Sequence, residues 1–132
     1  MKIHHIGYLV SDMDKAIQSF REMGGVLETE LPVFDPDRMI DIAFVRVGAT
    51  LLELVCPREG CITVGEALKR LKNIPYHLCF ECASLEDTIN ELVNKGCLVV
   101  EEPKEACAIH NQKVAFLYSS EMGLFELVEM RP

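Results

Sequence analysis

Ile3-His4-His5-Ile6-Gly7-Tyr8-Leu9-Val10 and, 72 positions later, Pro75-Tyr76-His77-Leu78-Cys79-Phe80-Glu81-Cys82 are two readings of one pattern. The same shift sets Tyr8 on Phe80, Met13 on Leu85, Ile17 on Ile89, Phe20 on Leu92, Gly24 on Gly96 and Ala43-Phe44 on Ala115-Phe116. With one residue inserted, Leu52-Glu53-Leu54-Val55 falls on Phe125-Glu126-Leu127-Val128. The chain is therefore read as a tandem duplication in which each copy carries one histidine and one glutamate at matching places. Duplicated modules bring equivalent positions together around a pseudo-twofold axis. Two imidazoles and two carboxylates meeting there suit a divalent metal.

Each copy reads as β-α-β-β-β. Ile3 to Val10 has strand composition, and Ser11-Asp12 offers an N-cap. Met13, Ala16, Ile17 and Phe20 then follow at helical spacing, and Gly24-Gly25 closes the helix. Val26 to Glu30 reads as a short strand and Leu31 to Arg38 as a loop, because Pro32 and Pro36 lack ladder donors. Met39 to Val47 and Thr50 to Cys56 form a hairpin around Gly48-Ala49. In the second copy the strand Pro75–Cys82 precedes a helix begun at Ser84-Leu85-Glu86-Asp87, with Leu85, Ile89, Leu92 and Val93 as its apolar stripe and Gly96 at its end. Cys97 to Glu102 is a short strand, Pro103 to Gln112 a loop, and Lys113–Ser119 and Leu124–Met130 the closing hairpin. The domain organisation expected is one domain over 1–132: module one at about 1–56, a linker at about 57–73 with a helix from Val64 to Leu71, and module two at about 74–132.

Composition narrows the function classes. At 132 residues, 49% hydrophobic and 26% charged, the chain is globular and long enough to bury a core. A net charge of −8 disfavours a broad nucleic-acid face, which needs clustered cations. An anionic small substrate would need local help from Arg46, Arg58, Lys104 or Lys113. No apolar run approaches the roughly 20 residues of a membrane span, and the start lacks a signal-peptide layout, so a cytoplasmic protein with no membrane partner is expected. The six cysteines are read as reduced and mostly buried. Cys79-x-x-Cys82 is read as two strand positions on opposite faces, neither a redox pair nor half a zinc knuckle.

Period-two alternation places His5 on one strand face with Ile3, Gly7 and Leu9. Glu53 shares a face with Leu51 and Val55, and Glu126 with Leu124 and Val128. A carboxylate among branched aliphatics costs several kcal/mol unless it is paired, protonated or metal-bound. One such residue is readily a solvated edge position; two at matched places, with two matched histidines, argue for a site. His4 and His110 have no repeat counterpart and are read as ordinary histidines.

The runs Ile3–Val10, Leu51–Val55, Pro75–Glu81 and Phe125–Glu129 resemble the vicinal oxygen chelate superfamily over essentially the whole chain, and within it glyoxalase I and methylmalonyl-CoA epimerase. The resemblance implies an α+β fold of two tandem βαβββ modules in an open eight-stranded mixed sheet. It implies one divalent metal (nickel, cobalt, zinc or manganese) on His5, Glu53, His77 and Glu126. It implies proton transfer alpha to a carbonyl through a metal-bound enediolate, with Glu126 as candidate base and Glu53 opposite it. The substrate would be a thiol adduct or a thioester, and the protein a homodimer. Between the two branches, the expectation leans to a glyoxalase I-like lyase of the lactoylglutathione lyase type. Ala106–Gln112 lacks the glycines common in epimerases before this strand, and their second acidic residue has only Asp41 as an uncertain counterpart. Methylmalonyl-CoA epimerase is the alternative. A metal-free binding or resistance protein is disfavoured, because such relatives generally lack these four residues.

Overall fold

A computed structural model describes residues 1–29, 31–61 and 70–130. These form two helices and nine strands: β1 (Ile3–Leu9), α1 (Met13–Glu22), β2 (Val26–Leu27), β3 (Val33–Asp35), β4 (Ile40–Val47), β5 (Thr50–Pro57), β6 (Ile74–Cys82), α2 (Leu85–Asn94), β7 (Leu98–Ala106), β8 (Gln112–Ser119) and β9 (Gly123–Glu129). They divide into two compact units, His5–Tyr76 and Met1–His4 with His77–Pro132. Among the described residues no helix is long and apolar enough to cross a membrane.

In the first unit the strand order is β2-β4-β5-β1, with β3 also on β4. The β4–β5 hairpin is antiparallel, and β1 runs parallel to β5 because α1 lies between them in the chain. Asp12 caps α1, its Oδ1 accepting from the Lys15 amide at 3.0 Å. Met13 and Ile17 of α1 pack with Val10, Ala43, Val45 and Leu54 into a core on one sheet face. Beyond the helix, Gly25 lies so close that a Cβ there would stand 2.6 Å from the Phe20 carbonyl oxygen and 2.9 Å from Val45 Cγ1.

The second unit repeats the plan in the order β6-β9-β8-β7, with β6 and β9 parallel. The Ser84 hydroxyl caps α2 by accepting from the Asp87 amide, and the Glu129 carboxylate accepts from the Leu85 amide at 3.0 Å. Leu85 and Ile89 pack with Cys82, Ala115, Leu117, Phe125 and Leu127. The first residues of the chain belong here: the Glu81 amide donates to the Lys2 carbonyl at 2.8 Å.

The expected βαβββ duplication and open mixed pairing are present, with differences in detail. The loop expected at Leu31–Arg38 contains β3, whose three residues fit between Pro32 and Pro36 and pair along the free edge of β4. It makes the strand count nine where eight were expected. Strand β7 runs on to Ala106 through Pro103, expected to be loop. Register shifts at Val99/Glu101 and Glu101/Lys104 absorb the proline, and β7 is an edge strand where a missing donor costs no ladder bond. The linking helix expected at Val64–Leu71 falls largely on residues 62–69, outside the described residues.

Candidate metal centre

In the first unit, parallel pairing sets Gly7 opposite Glu53, so His5, two residues earlier on β1, shares Glu53's face. Antiparallel pairing sets Phe44 of β4 opposite Glu53 from the other side. His5 Nε2 lies 3.6 Å from Glu53 Oε1, and the two residues are 1% and 6% exposed. The Phe44 ring meets the His5 ring edge to face, with centroids 5.6 Å apart at 78°.

The second unit builds the same object. Cys79 is opposite Glu126 in the parallel pair, His77 stands two residues earlier, and Phe116 is opposite Glu126 on β8. His77 Nε2 lies 3.2 Å from Glu126 Oε1, with both residues about as buried as the first pair. The Phe116 ring meets His77 at 5.1 Å and 80°. Phe44 and Phe116 were visible in the repeat as the matched Ala-Phe dipeptides, yet nothing in the linear pattern marked them as neighbours of the histidines. Only the register of two hairpins does that.

These pairs fit metal ligation. Two donor atoms bound at about 2.1 Å stand about 3.0 Å apart across an octahedral edge and about 3.4 Å across a tetrahedral one. The observed 3.2 Å lies between these values and 3.6 Å slightly beyond the larger. Imidazole nitrogen with carboxylate oxygen suits nickel, cobalt, zinc or manganese better than an all-oxygen magnesium cage.

Other candidates sort by sheet face. Asp41 lies on the α1 side of β4, in alternation with the core residues Ala43 and Val45, and away from the face of Phe44 and Glu53. Its carboxylate receives two hydrogen bonds from Arg58, at 2.9 and 2.8 Å, which raise the guanidinium pKa, while Arg58 stacks on the Phe34 ring at 3.9 Å. Asp41 therefore does not join the His5–Glu53 pair. Arg46 is held by Glu28 at 2.6 Å. Lys104 pairs opposite Val114 and Lys113 opposite Glu105, which puts them on opposite faces. No disulfide joins any of the six cysteines. Cys82 packs in the α2 core, where burial pushes its thiol pKa up, and Cys79 lies on the other face opposite Glu126. Cys107 departs from the expected burial and is exposed. His4 is half-buried, and His110 is exposed in a left-handed turn.

A sequence model described as the Glyoxalase/Bleomycin resistance protein/Dioxygenase superfamily matches residues 2–116. The mitochondrial methylmalonyl-CoA epimerase of Bos taurus is 27% identical over 123 residues, 92% of this chain and 69% of that protein. The ethylmalonyl-CoA/methylmalonyl-CoA epimerase of Cereibacter sphaeroides is 24% identical, over 92% of this chain and 91% of its own length. Among solved structures, a hypothetical protein from Bacillus halodurans superposes with a TM-score of 0.85 at 23% identity, covering 99% of this chain and 95% of that one. Methylmalonyl-CoA epimerase from Mycobacterium tuberculosis superposes at 0.82 and 23% identity, covering 98% and 88%. These relatives correct the preference for a glyoxalase I-like lyase: the likeness falls on the epimerase branch. The four candidate ligand positions could not separate the branches, because both chemistries begin by removing a proton beside a carbonyl.

Proposed function

Because the chain belongs to the Glyoxalase/Bleomycin resistance protein/Dioxygenase superfamily, we propose that it is a metal-dependent acyl-CoA epimerase acting on a methylmalonyl-CoA-like thioester. One divalent ion would be held by His5, Glu53, His77 and Glu126. The observation that carries this reading is the buried imidazole–carboxylate pair, backed by a phenylalanine and built in the same register in both units. The substrate class rests on the epimerase relatives, two of which match over 92% of this chain.

A bound divalent ion would supply Lewis-acid stabilisation for the negative charge that grows on the thioester oxygen as the α proton leaves. The residues do the rest. Glu126 accepts the proton: the α C–H bond breaks, an O–H bond forms on the carboxylate, and the electron pair passes into the carbonyl. An acid on the other side of the same carbon gives it a proton and Glu126 later releases the one it took, so the epimer forms with no net change in atoms or electrons. Burial keeps bulk water from Glu126, and the Phe116 ring fixes the plane of His77 beside it.

The test is incubation of cobalt-loaded protein with one enantiomer of methylmalonyl-CoA, following its conversion to the other by chiral chromatography. Epimerisation that disappears on chelation and returns with cobalt is expected. Metal-loaded protein that leaves the enantiomer intact would overturn the reading.

A further inference from the structure

The face of the second unit that carries Glu126 is closed on one side and open on the other. Val99, Leu117 and Phe125 pack under α2, so Leu98, Tyr118, Leu124 and Glu126, out of phase with them, stand on the opposite face. To one side of the Phe116–Glu126 row, Val114 pairs with Val128, and the two are 1% and 0% exposed. To the other side Leu98 pairs with Tyr118 and Tyr118 with Leu124. Leu78 is opposite Phe125, which sets His77 level with Leu124. His77, Leu124, Tyr118 and Leu98 thus form one row across β6, β9, β8 and the edge strand β7. Exposure climbs along it: His77 is buried, Leu124 half-buried, Tyr118 44% and Leu98 65% exposed. Three contiguous apolar side chains running outward from a buried imidazole mark a contact surface.

We propose that this row is the rail for the arm of the thioester substrate, with the Tyr118 ring as its platform and Leu98 as the residue that selects for a long arm. This rests on the epimerase reading and deepens it. From sulfur to its phosphate-bearing oxygen, the arm of a coenzyme A ester is about twelve bonds long. That equals about four extended residues, or about 14 Å. Three strand spacings from β6 to β7 also make about 14 Å. An arm whose acyl end lies at His77 therefore delivers its phosphates to the free edge of the sheet, where water solvates them. This suits a chain of net charge −8, which has few cations to spare for phosphate. The arm's methylene pairs and branched methyl groups pack on leucines and an aromatic face, while its two amides stay open to solvent above. A short thioester would cover Leu124 and Tyr118 and leave Leu98 bare.

That difference is the test. Cobalt-loaded wild type, Tyr118→Ala, Tyr118→Phe and Leu98→Ser are assayed with methylmalonyl-CoA and with methylmalonyl-N-acetylcysteamine, whose arm ends about five bonds from sulfur. All three substitutions fall at exposed positions, and melting temperature and sedimentation check that the fold is kept. Tyr118→Ala should raise KM about tenfold for both esters at unchanged kcat, the mark of binding shared by ground and transition states. Tyr118→Phe should stay within about twofold of wild type, since the ring is kept. Leu98→Ser should raise KM about threefold for the coenzyme A ester, the worth of about one buried methylene, and leave the short ester unchanged. Leu98→Ser that raises KM equally for both esters, or for neither, would overturn the rail. So would Tyr118→Phe as damaging as Tyr118→Ala. Altered sedimentation with both KM values intact would assign the row to a subunit contact instead. Wild type that binds cobalt yet inverts neither ester would overturn the epimerase reading itself, and the rail with it.

Discussion

Glu53 and Glu126 are 6% and 4% exposed on strands of branched aliphatics, and each stands within 3.6 Å of a buried imidazole. A charged carboxylate so placed is tolerated only with strong compensation, which the proposed divalent ion would supply. Under the proposed reading their roles differ, and substitution should show it. Glu126→Gln is expected to lower epimerisation by about 100-fold or more while weakening cobalt binding far less, since the amide oxygen still ligates but accepts no proton at neutral pH. His5→Ala should lose both. Parallel steady-state rates and cobalt titrations decide; equal losses in Glu126→Gln would leave it a ligand only. Asp41→Asn should keep epimerisation within about threefold of wild type, the range of an ordinary surface change, because Asp41 faces α1 and Arg58. A larger loss at unchanged melting temperature would return Asp41 to the chemistry.

At the scale of elements, two devices set the site: the parallel pairs β1/β5 and β6/β9, and the hairpins β4/β5 and β8/β9. A one-residue slip in any of them would turn a histidine, glutamate or phenylalanine to the other face. The helices hold that register from behind, and Gly25 sets how closely the turn after α1 approaches β4. Gly25→Ala should therefore destabilise the protein by about 1–3 kcal/mol, the usual cost of overpacking, because its Cβ meets the Phe20 carbonyl at 2.6 Å. Urea unfolding measures this; an unchanged midpoint would show that the turn relaxes freely. The strands other than β3 and the end of β7, both helix caps and the hairpin turns were legible from alternation, Asp12, Ser84 and the glycines. The β7 bulge was not, because Val99, Val100 and Glu101 carry no local mark of a phase change, and its position depends on how Pro103 is accommodated against β8.

For the whole molecule, the proposed metal should couple its binding to folding. Cobalt at about 100 times its dissociation constant should stabilise the protein by about 2.7 kcal/mol, a rise of several degrees in melting temperature, and His5→Ala should abolish the rise. A wild-type melting temperature indifferent to cobalt and to chelator would count against the site. We further expect a homodimer by sedimentation, with each site built within one chain. Mixed His5→Ala and Glu126→Ala subunits should then stay inactive, and recovered activity would show that ligands come from different chains. The duplication, the module order, the family and the four ligand candidates could all be read along the chain. Those are properties of residue type and spacing, which repeat along the chain whatever its tertiary context. That Asp41 faces away, that Phe44 and Phe116 stand against the histidines, and that the β7 bulge pairs Glu101 with Phe116 emerged from strand pairing. Each depends on strand register and bulge placement, which are settled by packing between segments far apart in the chain.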